Sequence, residues 1–212
     1  MIRKILICIA LVASLPAQAD SPETANGYSY AEVSGRFLIF DEDIRVGDYE
    51  YRGLPGIGGA LSIQFLPYAF GFVEAEGYHG EEGSTELQGG YLRAGFGGAY
   101  PVTDYADALA TLAYSSQTVK ACDSGFCRKV DADGFTPGVG IRVALNEKVD
   151  VLAKFERDFI ETDLPGGQTS EDDYSNLIFE LHVSDKSHGL VIGGELQDGD
   201  AVAKIGYRYS FR

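Results

Sequence analysis

The sequence predicts an all-β chain: a closed, antiparallel, up-and-down transmembrane β-barrel of ten strands, with eight strands as the alternative. Three observations carry that expectation. Apolar residues recur at every second position through most of the chain, the mark of extended strands with one apolar and one polar face. The connections alternate long and short, as in bacterial barrels with short periplasmic turns and longer extracellular loops. The N-terminus reads as an export signal.

Residues Met1 to Ala19 open with Arg3 and Lys4, run apolar from Ile5 to Leu15 and end Ala17-Gln18-Ala19. A charged start, a short apolar run and an A-x-A site describe a secretory signal peptide cut before Asp20. The run is shorter than the roughly 20 residues of a membrane-spanning helix. The expected organisation is therefore a signal peptide over 1–19 and one barrel domain over 20–212. Cleavage lowers the 17 Lys+Arg to 15 against 32 Asp+Glu, so the net charge moves from −15 to −17. A chain so acidic is not built to attract nucleic acid.

The first strand spans Tyr28 to Phe40, with Ala31, Val33, Gly35, Phe37 and Ile39 opposite Glu32, Ser34 and Arg36. The second, Gly56 to Leu66, sets Ile57, Leu61, Ile63 and Phe65 against Ala60, Ser62 and Gln64. Pro67-Tyr68 turns into the third, Ala69 to His79, where Glu74 and Glu76 oppose Val73 and Ala75. The fourth, Glu86 to Tyr100, places Arg93 opposite Leu92, Ala94, Phe96 and Tyr100. The fifth runs from Asp107 to Val119. The sixth, Phe135 to Leu145, alternates most cleanly, with Arg142 on its polar face.

The seventh strand, Val149 to Phe159, carries Lys154, Glu156 and Asp158 on its polar side. The eighth, Tyr174 to Ser184, sets Leu177, Phe179, Leu181 and Val183 against Asn176, Glu180 and His182. Leu190 to Leu196 is the ninth. Ala201 to Phe211 closes the set, with Ala203, Ile205, Tyr207, Tyr209 and Phe211 opposite Lys204, Gly206, Arg208 and Ser210. No helical period appears. The long connections are expected at 41–55, 80–85, 120–134 and 160–173, and the short ones at 67–68, 101–106, 146–148 and 185–189.

The rival architecture is a soluble ligand-binding cup, which would turn its apolar face inward. Here the polar face is also rich in Gly, Ala and Ser, which suits a crowded interior. Tyr28, Tyr30, Tyr100, Tyr207, Tyr209 and Phe211 lie near strand ends, where an interfacial aromatic girdle is expected. The lumen then receives Arg36, Arg93, Arg142, Lys154, Lys204 and Arg208 together with Glu32, Glu74, Glu76, Glu156, Asp158, Glu180 and Glu195. A narrow barrel leaves little room for water, so these charges are expected to pair in a network rather than line an open pore. A small ion or solute path is the competing reading.

The excess acid falls in the long connections, including Asp41-Glu42-Asp43 and Glu171-Asp172-Asp173. Neither run has the spacing of a dedicated calcium loop, so the reading is a solvated, self-repelling surface with no metal and no cofactor. Cys122 and Cys127 are the cysteines that remain after export, and an oxidising compartment favours a disulfide between them. Three histidines remain: His79 near the outer rim, His182 beside Glu180, and His188 in a turn at the opposite end. None has the spacing of a Ser/His/Asp site, so no catalytic residues are expected. A rim-sited lipid-modifying enzyme is the least favoured alternative.

With the export signal, the alternating strands and an aromatic last strand, the chain resembles the small outer-membrane β-barrel proteins of Gram-negative bacteria, the OmpA-like and OmpX-like group. Tyr207, Tyr209 and Phe211 look like that group's C-terminal signal for the barrel-assembly machinery, although Arg212 follows the aromatic. The resemblance implies residence in the outer membrane among lipid and lipopolysaccharide. It also implies envelope integrity, surface interaction with an extracellular ligand, or in some members a narrow porin-like channel.

Overall fold

The computed structural model describes residues 28–164 and 168–211. The signal-peptide reading, the polar lead after it, Pro165-Gly166-Gly167 and Arg212 lie outside the described residues. Ten strands follow one another: β1 (Tyr30–Val46), β2 (Tyr49–Leu66), β3 (Ala69–Glu82), β4 (Thr85–Thr103), β5 (Ala106–Asp123), β6 (Phe126–Asn146), β7 (Val149–Leu164), β8 (Gln168–Asp185), β9 (His188–Gln197) and β10 (Asp200–Ser210). Each pairs antiparallel with its neighbours, and β1 pairs with β10 to close the barrel. Closure abolishes the free sheet edges that lipid could not satisfy. The seam runs from Tyr30↔Ser210 to Ile39↔Ala201 without a break.

The alternation decides which face looks out. Val33, Ile57, Leu112, Val139 and Ile205 are exposed on the outside, while Glu32, Arg93, Glu156, Asp158 and His182 on the opposite parity are buried inside. A soluble cup would show the reverse, so the exposed apolar belt is a lipid-facing surface. On β6 the belt runs from Phe135 to Leu145. At ~3.4 Å per residue and ~40° tilt it is about 28 Å tall, close to the thickness of an outer-membrane apolar band. Tyr68, Tyr100, Tyr105, Tyr207 and Tyr209 are exposed at the end of the belt where the termini lie, with Tyr68 and Tyr100 in ring contact at 5.9 Å.

Two expectations are corrected. The stretches 41–55, 80–85, 120–134 and 160–173 are not irregular loops. The strands continue through most of them and turn tightly at Gly47-Asp48, Gly83-Ser84 and Ser124-Gly125. Gly47 and Gly83 take φ of 59°, and Gly125 takes 87°, a left-handed backbone that glycine adopts at little cost. Alternation weakens there because both faces of a ribbon above the membrane meet water, so period two no longer shows in residue type. Tyr28 and Tyr30 are also not part of the outer girdle. Tyr30 shares the parity of Glu32, Ser34 and Arg36 and therefore points inward, and Tyr28 is buried against Phe70 at a ring distance of 5.0 Å.

The wall is uneven in height. β5 and β6 stay paired up to Asp123↔Phe126, whereas β9 and β10 begin pairing at Gln197↔Asp200. β2 and β3 separate above Gly56↔Tyr78. The tall end is the one opposite the chain termini, and short turns belong to the periplasmic side.

Candidate functional site in the lumen and at the rim

The lumen is layered. At the terminal end Tyr28, Phe70, Phe72, Ala99, Leu109 and Ala113 form one apolar cluster, with Leu152 packed on it. Between the tall ribbons Val46, Tyr51, Leu54 and Leu87 form another, joined by Phe40, Tyr49, Tyr78 and Ala121. Charged side chains fill the space between. Room for them comes from inward glycines: a Cβ at Gly138 would stand 3.0 Å from Glu156 Cγ, and one at Gly97 would strike the Phe70 ring.

Glu32 and Arg208 are direct partners across the β1–β10 seam, so an ion pair closes the barrel together with the backbone ladder. Arg208 donates to Glu32 Oε2 from Nε at 3.0 Å and Nη2 at 2.6 Å. Its guanidinium lies 3.9 Å from the centroid of the Tyr30 ring. Lys204 reaches Glu32 at 2.8 Å and also pairs with Glu180. His182 links Glu180, at 2.8 Å, to Asp150, at 2.9 Å. Arg142 grips Asp150 through Nε and Nη2, both at 2.9 Å, and covers the Tyr28 ring. The Tyr28 hydroxyl donates to Asp107 at 3.0 Å.

A second group centres on Arg93, which pairs with its cross-strand neighbour Glu74 and with Glu156. Lys154 meets Glu156 at 2.9 Å. Arg36 pairs with Glu76, which also accepts from the Tyr78 hydroxyl at 2.7 Å. Asp158 sits among neutral donors instead: the Thr136 hydroxyl, and Asn176 Nδ2 at 2.7 Å. Glu195 lines a cavity of about 80 Å³ with Glu76, Arg93 and Lys204, and among the described residues no cation lies within 4.0 Å of it.

The structure thus brings together Glu32, Arg36, Glu74, Glu76, Arg93, Arg142, Lys154, Glu156, Glu180, Lys204 and Arg208 in ion pairs, and it leaves Asp158 and Glu195 outside them. Asp107 and Asp150 escaped the sequence reading. Both lie at strand starts, where one residue of register decides which face they join. Replacing Arg142 with Ala removes the bidentate hold on Asp150, which keeps only His182. The expected loss is about 2–3 kcal/mol, under the roughly 3–5 kcal/mol of a fully buried pair. A lower midpoint in a heat-modifiability gel would show it, and an unchanged midpoint would count against the network.

At the rim each acid run lies on a strand segment that has lost a neighbour. Asp41-Glu42-Asp43 follows the last β1–β10 pair, and Glu171-Asp172-Asp173 precedes the first β8–β9 pair. The short hairpin between them touches only the base of each edge. Asp200 accepts from the Asp41 backbone N–H at 2.9 Å, and Asp198 from the Ser175 N–H at 3.5 Å. Charge on an open edge deters the addition of a foreign strand. On the ribbons, the Thr118 hydroxyl and then Lys129 hold the Asp131 carboxyl below its ordinary range. Cys122 and Cys127 are direct cross-strand partners near the β5–β6 turn and form a disulfide.

The three histidines are dispersed. His79 is exposed beside Glu81, His182 belongs to the lumen network, and His188 meets the Tyr207 hydroxyl. Tyr207 and Tyr209 face outward, with Phe211 6.4 Å beyond Tyr209.

The fold has solved counterparts. OmpT, the outer membrane protease of Escherichia coli, is similar over 92% of this chain and 100% of its own, at 9% identity and a TM-score of 0.53. Neisserial surface protein A is similar over 87% and 98%, at 10% identity and a TM-score of 0.48. Ail of Yersinia pestis is similar over 87% and 100%, at 12% identity and a TM-score of 0.43. At such identities the likeness is one of fold alone. No curated protein sequence matches the chain. The sequence profile described as "Outer membrane protein beta-barrel domain" matches residues 5–185. With its lipid-facing belt and closed ten-strand sheet, the chain belongs to that outer-membrane β-barrel family and is a protein of the outer membrane.

Proposed function

We propose that this barrel serves envelope structure or surface interaction, with a lumen plugged by paired charge and a contact surface formed by the acidic ribbons above the lipid. The observation that carries the reading is the ion-pair network from Glu32 to Arg142, whose side chains narrow the two cavities they line to about 60 and 80 Å³. Such spaces hold a few waters rather than a solute. Outer-membrane lipid and lipopolysaccharide surround the belt in this reading. Tyr207, Tyr209 and Phe211 serve as the assembly signal during biogenesis.

Planar-bilayer recording tests the plug. The reconstituted protein is expected to give no steady conductance, and discrete open-channel steps would overturn the proposal. A narrow channel is the second reading, and one observation favours it. The two cavities share Tyr30, Glu74, Leu152, Lys154 and Arg208 as lining, so they lie end to end along the barrel. A lipid-modifying enzyme has no comparable support. Among the described residues no serine hydroxyl hydrogen-bonds to a histidine.

A further inference from the structure

We propose that His79, Glu81 and Glu86 form a binding site for a divalent cation of the zinc class on the outer face of the β3–β4 ribbon. His79 and Glu81 are two positions apart on β3, so both side chains leave the same face. Glu86, the direct partner of Glu81 on β4, joins them. One donor atom from each of the three lies within 4.8 Å of the others. His79 Nε2 is already 3.2 Å from Glu81 Oε1. Two donors bound at ~2.0–2.2 Å to one tetrahedral zinc stand about 3.3 Å apart. Glu86 Oε1, which accepts from the Gln88 side-chain amide, lies 3.8 Å from the other ring nitrogen, Nδ1, so closing the site requires the His79 ring and the Glu86 carboxylate both to turn toward the ion.

Three features point to a cation rather than a plain surface cluster. Facing carboxylates on paired strands repel. Here Lys120, 3.6 Å from Glu86, offsets one of them, and Glu81 has only the His79 ring as an ion-pair partner among the described residues. The backbone is also held in place before any ion arrives. β3 and β4 pair without interruption to Glu82↔Thr85. Glu86 is flanked on its other side by Cys122, half of the disulfide. The Ser124 N–H donates to the Ser84 carbonyl at 3.2 Å and ties the two hairpin tips. Little ordering is left to oppose binding. An imidazole beside two carboxylates suits zinc, whereas calcium and magnesium ask for more oxygen donors.

Calorimetric titration of the folded chain in detergent with zinc chloride, in excess magnesium, tests the site. One zinc per chain is expected, weakened about tenfold or more by either His79→Ala or Glu81→Gln and left unchanged by His188→Ala. A heat-modifiability gel establishes that each variant is folded. Absence of zinc uptake, or equal uptake by the native chain and His79→Ala, would overturn the site.

Discussion

An Arg93→Ala barrel is expected to lose about 3–5 kcal/mol of stability, read as a lower midpoint of heat- or urea-induced unfolding in detergent. Arg93 is 6% exposed and is the shared partner of Glu74 and Glu156, the latter 1% exposed. Its guanidinium also stacks toward Phe72 and Tyr91, 5.9 and 5.5 Å from their centroids. Truncation leaves the partly buried Glu74 without an ion-pair partner among the described residues and leaves Glu156 only Lys154. The cost is mainly that of the orphaned Glu74 charge, so the double variant Arg93→Ala, Glu74→Gln should recover part of the loss. An Arg93→Ala chain that unfolds like the native one would mean that the lumen is wetter than the packing shows.

Arginine in place of Val139 should cost about 2–4 kcal/mol, the penalty of a cation near the middle of the lipid band. Val139 is 60% exposed and Phe126, at a ribbon tip, is 87% exposed. In water, neither substitution would matter much. The contrast comes from the solvent: Phe126→Arg should be nearly neutral because that tip stands above the lipid. Equal effects at the two sites would contradict the membrane placement, since exposure alone would then explain both.

Most of the membrane-spanning barrel was legible because lipid outside and packed polar groups inside impose opposite chemistry on alternate residues. Phe135 to Leu145 and Ala201 to Phe211 show this directly, as does the pairing of Lys204 and Arg208 with acids. Where both faces of a strand meet water, that contrast vanishes. This is why 41–55 and 120–134 read as loops although they form ribbons. Asp107 and Asp150 were missed for a related reason. They stand beside turns, where register shifts occur between Pro101 and Thr103 and between Ala144 and Asn146.

By itself, then, the sequence determined the all-β class, the strand order, the lipid-facing residues and the sign of the charges sent inward, because each follows from a period of two along one strand. Tertiary structure alone decided which charges meet. Arg208 finds Glu32, 176 positions away, only because the barrel closes in one register. The same is true of Glu195, which has no ion pair among the described residues, and of His79, Glu81 and Glu86, which a hairpin turn brings together. Contacts between strands depend on register and closure, and those are properties of the whole sheet rather than of any segment.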